Sequence, residues 1–171
     1  MYVRMEVVGV RIEMPSNQPI VLLKEVEGSR FLPIWVGAHE ATAIAFAQQD
    51  MTPNRPLTHD LMADILNAID ATLVAVQITQ VVDGVFFSEL QLRNGNIALA
   101  PISARPSDAI ALALRTKSNI MASSDLLDDV GIDIPERVAG EAGSAGDQGA
   151  DGELERFREF LDQINPEDFA G

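Results

Sequence analysis

Ala71-Thr-Leu-Val-Ala-Val-Gln-Ile-Thr-Gln-Val-Val82, Asp83-Gly84 and Val85-Phe-Phe-Ser-Glu-Leu-Gln-Leu-Arg93 form the stretch whose reading decides the fold. The two longer runs are rich in β-branched and aromatic residues, which favour strands. Asp-Gly between them is the pair that a two-residue type I′ turn selects, because both central residues need positive φ. The stretch predicts an antiparallel hairpin. Asn94-Gly95 repeats the turn signal before a further run over 96–101.

Upstream, residues 2–14 alternate, with Val3, Met5 and Val7 against Arg4 and Glu6, and Pro15-Ser-Asn-Gln-Pro19 is a turn cluster. Runs at 20–27 and 31–36 follow, separated by Gly28-Ser29, so the first third predicts a three-strand antiparallel meander. An alanine-rich helix is expected over 38–49, with Ala41, Ile44, Ala45 and Gln48 as its inner stripe. A second helix over 58–69 carries Leu61, Met62, Ile65, Leu66 and Ile69 at three-and-four spacing, the pattern of a helix packed on a sheet. A third, over 104–116, is apolar nearly all round and therefore expected to be buried. A strand at 119–122 and a short helix at 124–130 close the domain. The expected class is α+β: a mainly antiparallel or mixed sheet with three to four helices packed on it.

Three segments follow from composition. Residues 1–135 form the folded domain, 136–152 read as an acidic Gly/Ala-rich flexible linker, and 153–171 as an acidic tail. In the tail, Leu154, Phe157, Phe160, Leu161 and Ile164 share one helical face. The chain of 171 residues contains no cysteine, which excludes a disulfide framework, a thiolate metal site and a cysteine nucleophile. The expected location is cytoplasmic, without membrane contact, since apolar runs fall short of the ~20 residues of a span. A formal charge of −14, from 26 acids and 12 bases, repels phosphate backbones at long range. Nucleic-acid contact is therefore expected to be weak and local.

Two segments hold the distinctive polar groups: Arg55-Pro-Leu-Thr-His-Asp60 and Arg105-Pro-Ser-Asp108, each opening a helix. A purely structural account has Pro in the first turn, Thr58 or Ser107 capping free N–H groups, and Asp60 and Asp108 at the positive end of the helix dipole. It leaves the arginines unexplained, because a cation at a helix N-terminus opposes the dipole. Each arginine is expected to have a carboxylate or an anionic ligand as partner. The chemical account combines Arg55 and Arg105 as phosphate contacts with Asp60 and Asp108 as oxygen ligands for Mg²⁺ or Mn²⁺. His59 would serve as proton carrier, since imidazole exchanges protons near neutrality. No Gly-rich phosphate loop, zinc motif or serine elbow is present.

Leu32-Pro-Ile-Trp-Val-Gly37 with Glu40-Ala41, then the Arg55 segment, then Arg105-Pro-Ser-Asp-Ala-Ile-Ala-Leu-Ala-Leu-Arg115, resemble in order the bifunctional nuclease domain family. The resemblance spans about residues 2–135 and leaves the tail out as an extension of this lineage. It implies an α+β fold, a homodimer or higher homo-oligomer, and a nuclease acting on RNA and DNA, to which the chemical account above adds a divalent metal. Glu40, Arg55, His59, Asp60, Arg105, Ser107 and Asp108 are the matching positions. Ser103 and Ser124 stand where that family's pattern commonly has acids. Two other readings stay open beside it. One is a non-catalytic module binding a small anion or a partner protein. In the other, the Arg-Pro segments only build the fold and an oligomer interface.

Overall fold

The computed structural model describes residues 1–133. The linker and tail readings lie outside the described residues. Strands β1 (Tyr2–Glu13), β2 (Gln18–Glu25) and β3 (Arg30–Trp35) make the expected antiparallel meander. Helices α1 (Ala38–Gln48) and α2 (Thr58–Ala68) follow. Then come β4 (Ala71–Val82) and β5 (Val85–Asn94), joined at Asp83 and Gly84 with φ of 50° and 74°, the positive angles the turn requires. After the two-residue β6 (Ile97–Ala98) and the short β7 (Ile102–Ala104), α3 (Pro106–Thr116) begins. Strand β8 (Asn119–Ser123), helix α4 (Ser124–Val130) and β9 (Ile132–Asp133) complete the described chain.

All nine strands belong to one mixed sheet, ordered β6-β5-β4-β8-β1-β2-β3-β9, with β7 also paired to β5. Among the described residues, only β4 and β8 pair in parallel. The late strand β8 slots between the hairpin and the meander and joins them into one sheet. Its central place explains why Ile120 and Ala122 are buried in so short a strand.

The core forms where one face of the sheet meets the helices: Val21, Leu23, Leu32, Val76, Ile78 and Leu90 lie in one cluster with α3 and Ile44 of α1. Helix α3 is buried from Ala109 to Ala113, as its all-round apolar sequence predicts. Alanines on the buried sides of α1 (Ala41, Ala43) and α3 (Ala109, Ala111, Ala113) let those two helices pack closely. Two expectations change in detail. Gln48 is exposed, reaching back to donate from Nε2 to Val7 O at 3.2 Å. Helix α2 packs against α3 and β4 on one side only, so Met62, Ala63 and Leu66 are half-buried while Leu61, Ile65 and Ile69 stay exposed.

Among the described residues no helix is long and apolar enough to cross a membrane.

Candidate functional site

The three helices of the layer start alike. Glu40, Asp60 and Asp108 each hold the third position of α1, α2 and α3, where a carboxylate faces free backbone N–H groups and the positive end of the dipole. In α2 this is realised as a hydrogen bond from Leu57 N to Asp60 Oδ2 at 2.8 Å. Capping by Thr58 or Ser107 does not occur. The helices begin earlier than that expectation needs, α2 by one residue and α3 by two, so the cap positions fall to Leu57 and Arg105, and neither makes a side-chain cap bond. Thr58 and Ser107 sit inside the first turn instead.

The two Arg-Pro segments, 49 residues apart in sequence, meet at His59 and Asp108: Nε2 lies 3.0 Å from Oδ1. Arg105 folds back over its own helix start, with Nε 2.7 Å from Asp108 Oδ2 and Nη2 3.1 Å from Oδ1. The same Nη2 donates to Glu40 Oε1 at 2.8 Å, which draws the first turn of α1 against that of α3. The chain of contacts runs His59, Asp108, Arg105, Glu40, with Arg105 its most exposed member. His59 is buried and the Arg105 side chain is 66% exposed.

Asp60, although next to His59, belongs to a second set. Arg115 donates from Nε to Asp60 Oδ1 at 2.5 Å and from Nη1 to Ala43 O and Ala111 O at 3.0 and 2.9 Å. One guanidinium thus holds α1, α2 and α3 together just behind the site. Sequence reasoning missed this role. The available signal was a cation at the end of an otherwise apolar helix, where a buried charge needs partners.

The charges are mutually supported. Burial pushes Asp108 up, but the bonds from Arg105 and His59 outweigh it and hold the carboxyl below its ordinary value. Asp60 is likewise raised by burial and lowered further by Arg115 and the Leu57 amide, with a net fall. Glu40 is lowered first by its own backbone amide, then by Arg105 against the opposing effect of burial. Arg105, between two carboxylates, is raised above its ordinary value.

With Asp108 ionised, its oxygen accepts from Nε2–H of His59, which leaves the lone pair on Nδ1. Nδ1 makes no hydrogen bond among the described residues. No fully buried side-chain nitrogen or oxygen there lacks a partner, so Nδ1 reaches solvent.

The donor set does not fit the divalent metal that the sequence suggested. Both oxygens of Asp60 and both of Asp108 are engaged by cationic or N–H donors. No group of three or more His, Cys, Asp or Glu among the described residues is arranged to hold an ion. Arg55 is exposed and joined to no carboxylate among the described residues, unlike Arg105. Ser107 is buried and its hydroxyl contacts none of the charged groups. Ser124 bonds to Met1 O, and Ser103 pairs with Glu89 on the sheet edge, so neither joins the cluster. A cavity of about 210 Å³ lined by Pro33, Trp35, Phe86 and Ile132 shares no residue with it.

The sequence model of the bifunctional nuclease domain matches residues 21–135. The chain belongs to that family. Strand β1 precedes the matched range yet pairs with β2 and β8 in the middle of the sheet, so it is part of the same structural unit. The chain is 44% identical over 163 residues, 95% of each chain, to two proteins of Mycobacterium tuberculosis, "Uncharacterized protein MT1877" of strain CDC 1551 / Oshkosh and "Uncharacterized protein Rv1829" of strain H37Rv. A 163-residue match within 171 residues extends well past Asp133.

Proposed function

We propose that this member of the family hydrolyses phosphodiester bonds of nucleic acid at the His59–Asp108–Arg105 cluster. The observation that carries the reading is the 3.0 Å contact between His59 and Asp108, which brings the two Arg-Pro segments to one exposed rim. In this proposal Nδ1 of His59 takes a proton from water as the water oxygen attacks phosphorus. The bond from phosphorus to the leaving oxygen breaks, and that oxygen takes a proton from solvent. Asp108 holds the imidazole in the tautomer that does this and offsets the imidazolium charge. Arg105, the most exposed member, turns from Glu40 to a non-bridging phosphate oxygen. No step is routed through a metal, because the donor set does not fit one.

A charge count limits the substrate. Three carboxylates (Glu40, Asp60, Asp108) and two guanidiniums (Arg105, Arg115) leave the cluster at −1 with His59 neutral. Long polyanions gain little there, and short or single-stranded substrates are favoured. The proposed working unit is a homo-oligomer, supported by the large apolar side chains left uncovered on α2.

A second reading, a non-catalytic module binding a small anion, is favoured by one observation: Arg105 is already paired with two carboxylates. Labelled single-stranded RNA and DNA, incubated with the purified chain with and without a chelator, separate the two. The proposal expects cleavage that falls at least about 100-fold in His59→Gln, the scale of lost acid–base catalysis. Equal cleavage by both proteins, or none by either, overturns it.

A further inference from the structure

The cavity of about 210 Å³ lies where the two ends of the sheet come together. Pro33 and Trp35 come from β3 and Phe86 from β5, strands near opposite ends of the sheet order. The turn from α4 into β9 adds Asp129, Val130 and Ile132. At this size it falls below the ~300–1,000 Å³ of sites for drug-sized ligands, so its occupant is small. One charged side chain lines it. That is Asp129, which is exposed and joins no ion pair among the described residues. Arg30, at the start of β3, is already taken up by Glu25 and Asp128. Trp35 donates its indole N–H to Oε2 of the buried Glu13 at 3.1 Å, and Ser16 Oγ donates to the same oxygen at 2.7 Å. With that N–H turned to Glu13, what the indole offers the cavity is carbon surface. An acceptor on the N–H also polarises the ring it belongs to.

We propose that this cavity binds a small quaternary ammonium ion of the choline type. An anion would meet Asp129 with no cation on the lining. A metal ion would find a single carboxylate where Mg²⁺ or Ca²⁺ takes about six or more oxygens, and no group of three or more acids or histidines forms elsewhere among the described residues. A neutral hydrocarbon would leave the carboxylate of Asp129 unused. A cation sheathed in methyl groups uses every wall. Its methyls pack on Pro33, Val130 and Ile132, and its charge meets two aromatic rings and Asp129. Tryptophan is the strongest aromatic partner of a cation, and quaternary ammonium ions are the ligands that aromatic pockets of this kind select. The formal charge of −14 draws cations toward the surface as a whole. Glycine betaine carries the same headgroup with a carboxylate, which Asp129 repels, so the site discriminates against it. The cavity shares no residue with the His59–Asp108–Arg105 cluster, and the inference does not depend on the hydrolytic reading.

Trp35 is the single tryptophan of the chain, so its emission reports on this cavity directly. The full chain is titrated with choline chloride, with sodium chloride keeping ionic strength constant, by calorimetry and by fluorescence. A saturable change is expected in both. The neutral isostere of choline, with carbon in place of nitrogen, is expected to bind about tenfold more weakly or worse, the scale of a desolvated cation–π contact. Phe86→Leu, which keeps an apolar side chain, is expected to weaken choline about threefold or more. Asp129→Asn, at an exposed position, is expected to weaken it about threefold and to narrow the gap between choline and glycine betaine. No saturable binding overturns the proposal. So does an isostere that binds as well as choline, or binding indifferent to both Phe86→Leu and Asp129→Asn.

Discussion

At Arg115 a single guanidinium serves three helices. Its side chain is 10% exposed and it bonds Asp60, Ala43 O and Ala111 O. Arg105 has as many bonds but is 66% exposed, and solvent screening leaves exposed ion pairs worth only ~0.2–1 kcal/mol each. The two arginines of the third motif therefore differ in kind. Arg115→Met, similar in length but without donors, is expected to lower unfolding free energy by about 2–3 kcal/mol in a urea titration, since it strands Asp60 and two carbonyls. Arg105→Met is expected to cost less than about 1 kcal/mol in the same measurement. The pairing of His59 with Asp108 was not visible in spacing, because it depends on how α2 and α3 cross rather than on either segment alone. What was visible was that each segment opens a helix with an unexplained arginine. One of them, Arg105, did find carboxylates as expected.

Among the elements, the Asp83-Gly84 hairpin and the buried α3 were legible because local chemistry decided them. Positive φ at two consecutive residues selects the turn, and alanine and leucine on every side require burial. The exposed side of α2 was not legible. Its three-and-four apolar pattern is that of a packed helix, and a pattern does not say which neighbour does the packing. Placement at the rim of the helix layer gave α2 two apolar sides but packed only one of them, against α3 and β4. The sheet order was hidden for a similar reason, since the insertion of β8 between β4 and β1 is a long-range choice. At the end of α3, Lys117 is held at φ 54°, the left-handed region that costs a side chain roughly 1 kcal/mol relative to glycine. Lys117→Gly is therefore expected to stabilise the fold by up to about 1 kcal/mol, read as a higher midpoint of thermal unfolding. An unchanged or lower midpoint would mean that Lys117 makes a compensating contact.

For the whole molecule, acid sensitivity follows from charge placement. Glu25, Glu40, Asp60 and Asp108 all have carboxyl groups held below their ordinary values in the folded state. For Glu25 the chief cause is its hydrogen bond from Arg30. The unfolded chain binds more protons than the folded one across the interval between the two sets of values. Stability therefore rises with pH there. The contribution is fully present above the ordinary carboxylate range, near pH 4–5, and is lost as pH falls through the lowered folded values. Thermal melts from pH 2.5 to 7 are expected to show a midpoint that climbs steeply up to about pH 5 and then levels. A climb that continued through neutral pH would point to a different titrating group.

The central claim is that His59 and Asp108, from two segments distant in sequence, act as one unit on a phosphodiester. The most direct measurement is a double-mutant cycle on oligonucleotide cleavage with His59→Gln, Asp108→Asn and both together. Residues that work as a unit lose most of their effect at the first substitution, so the double variant is expected to cleave no more slowly than His59→Gln alone. Two losses that multiply independently, or cleavage that ignores both changes, would contradict the account.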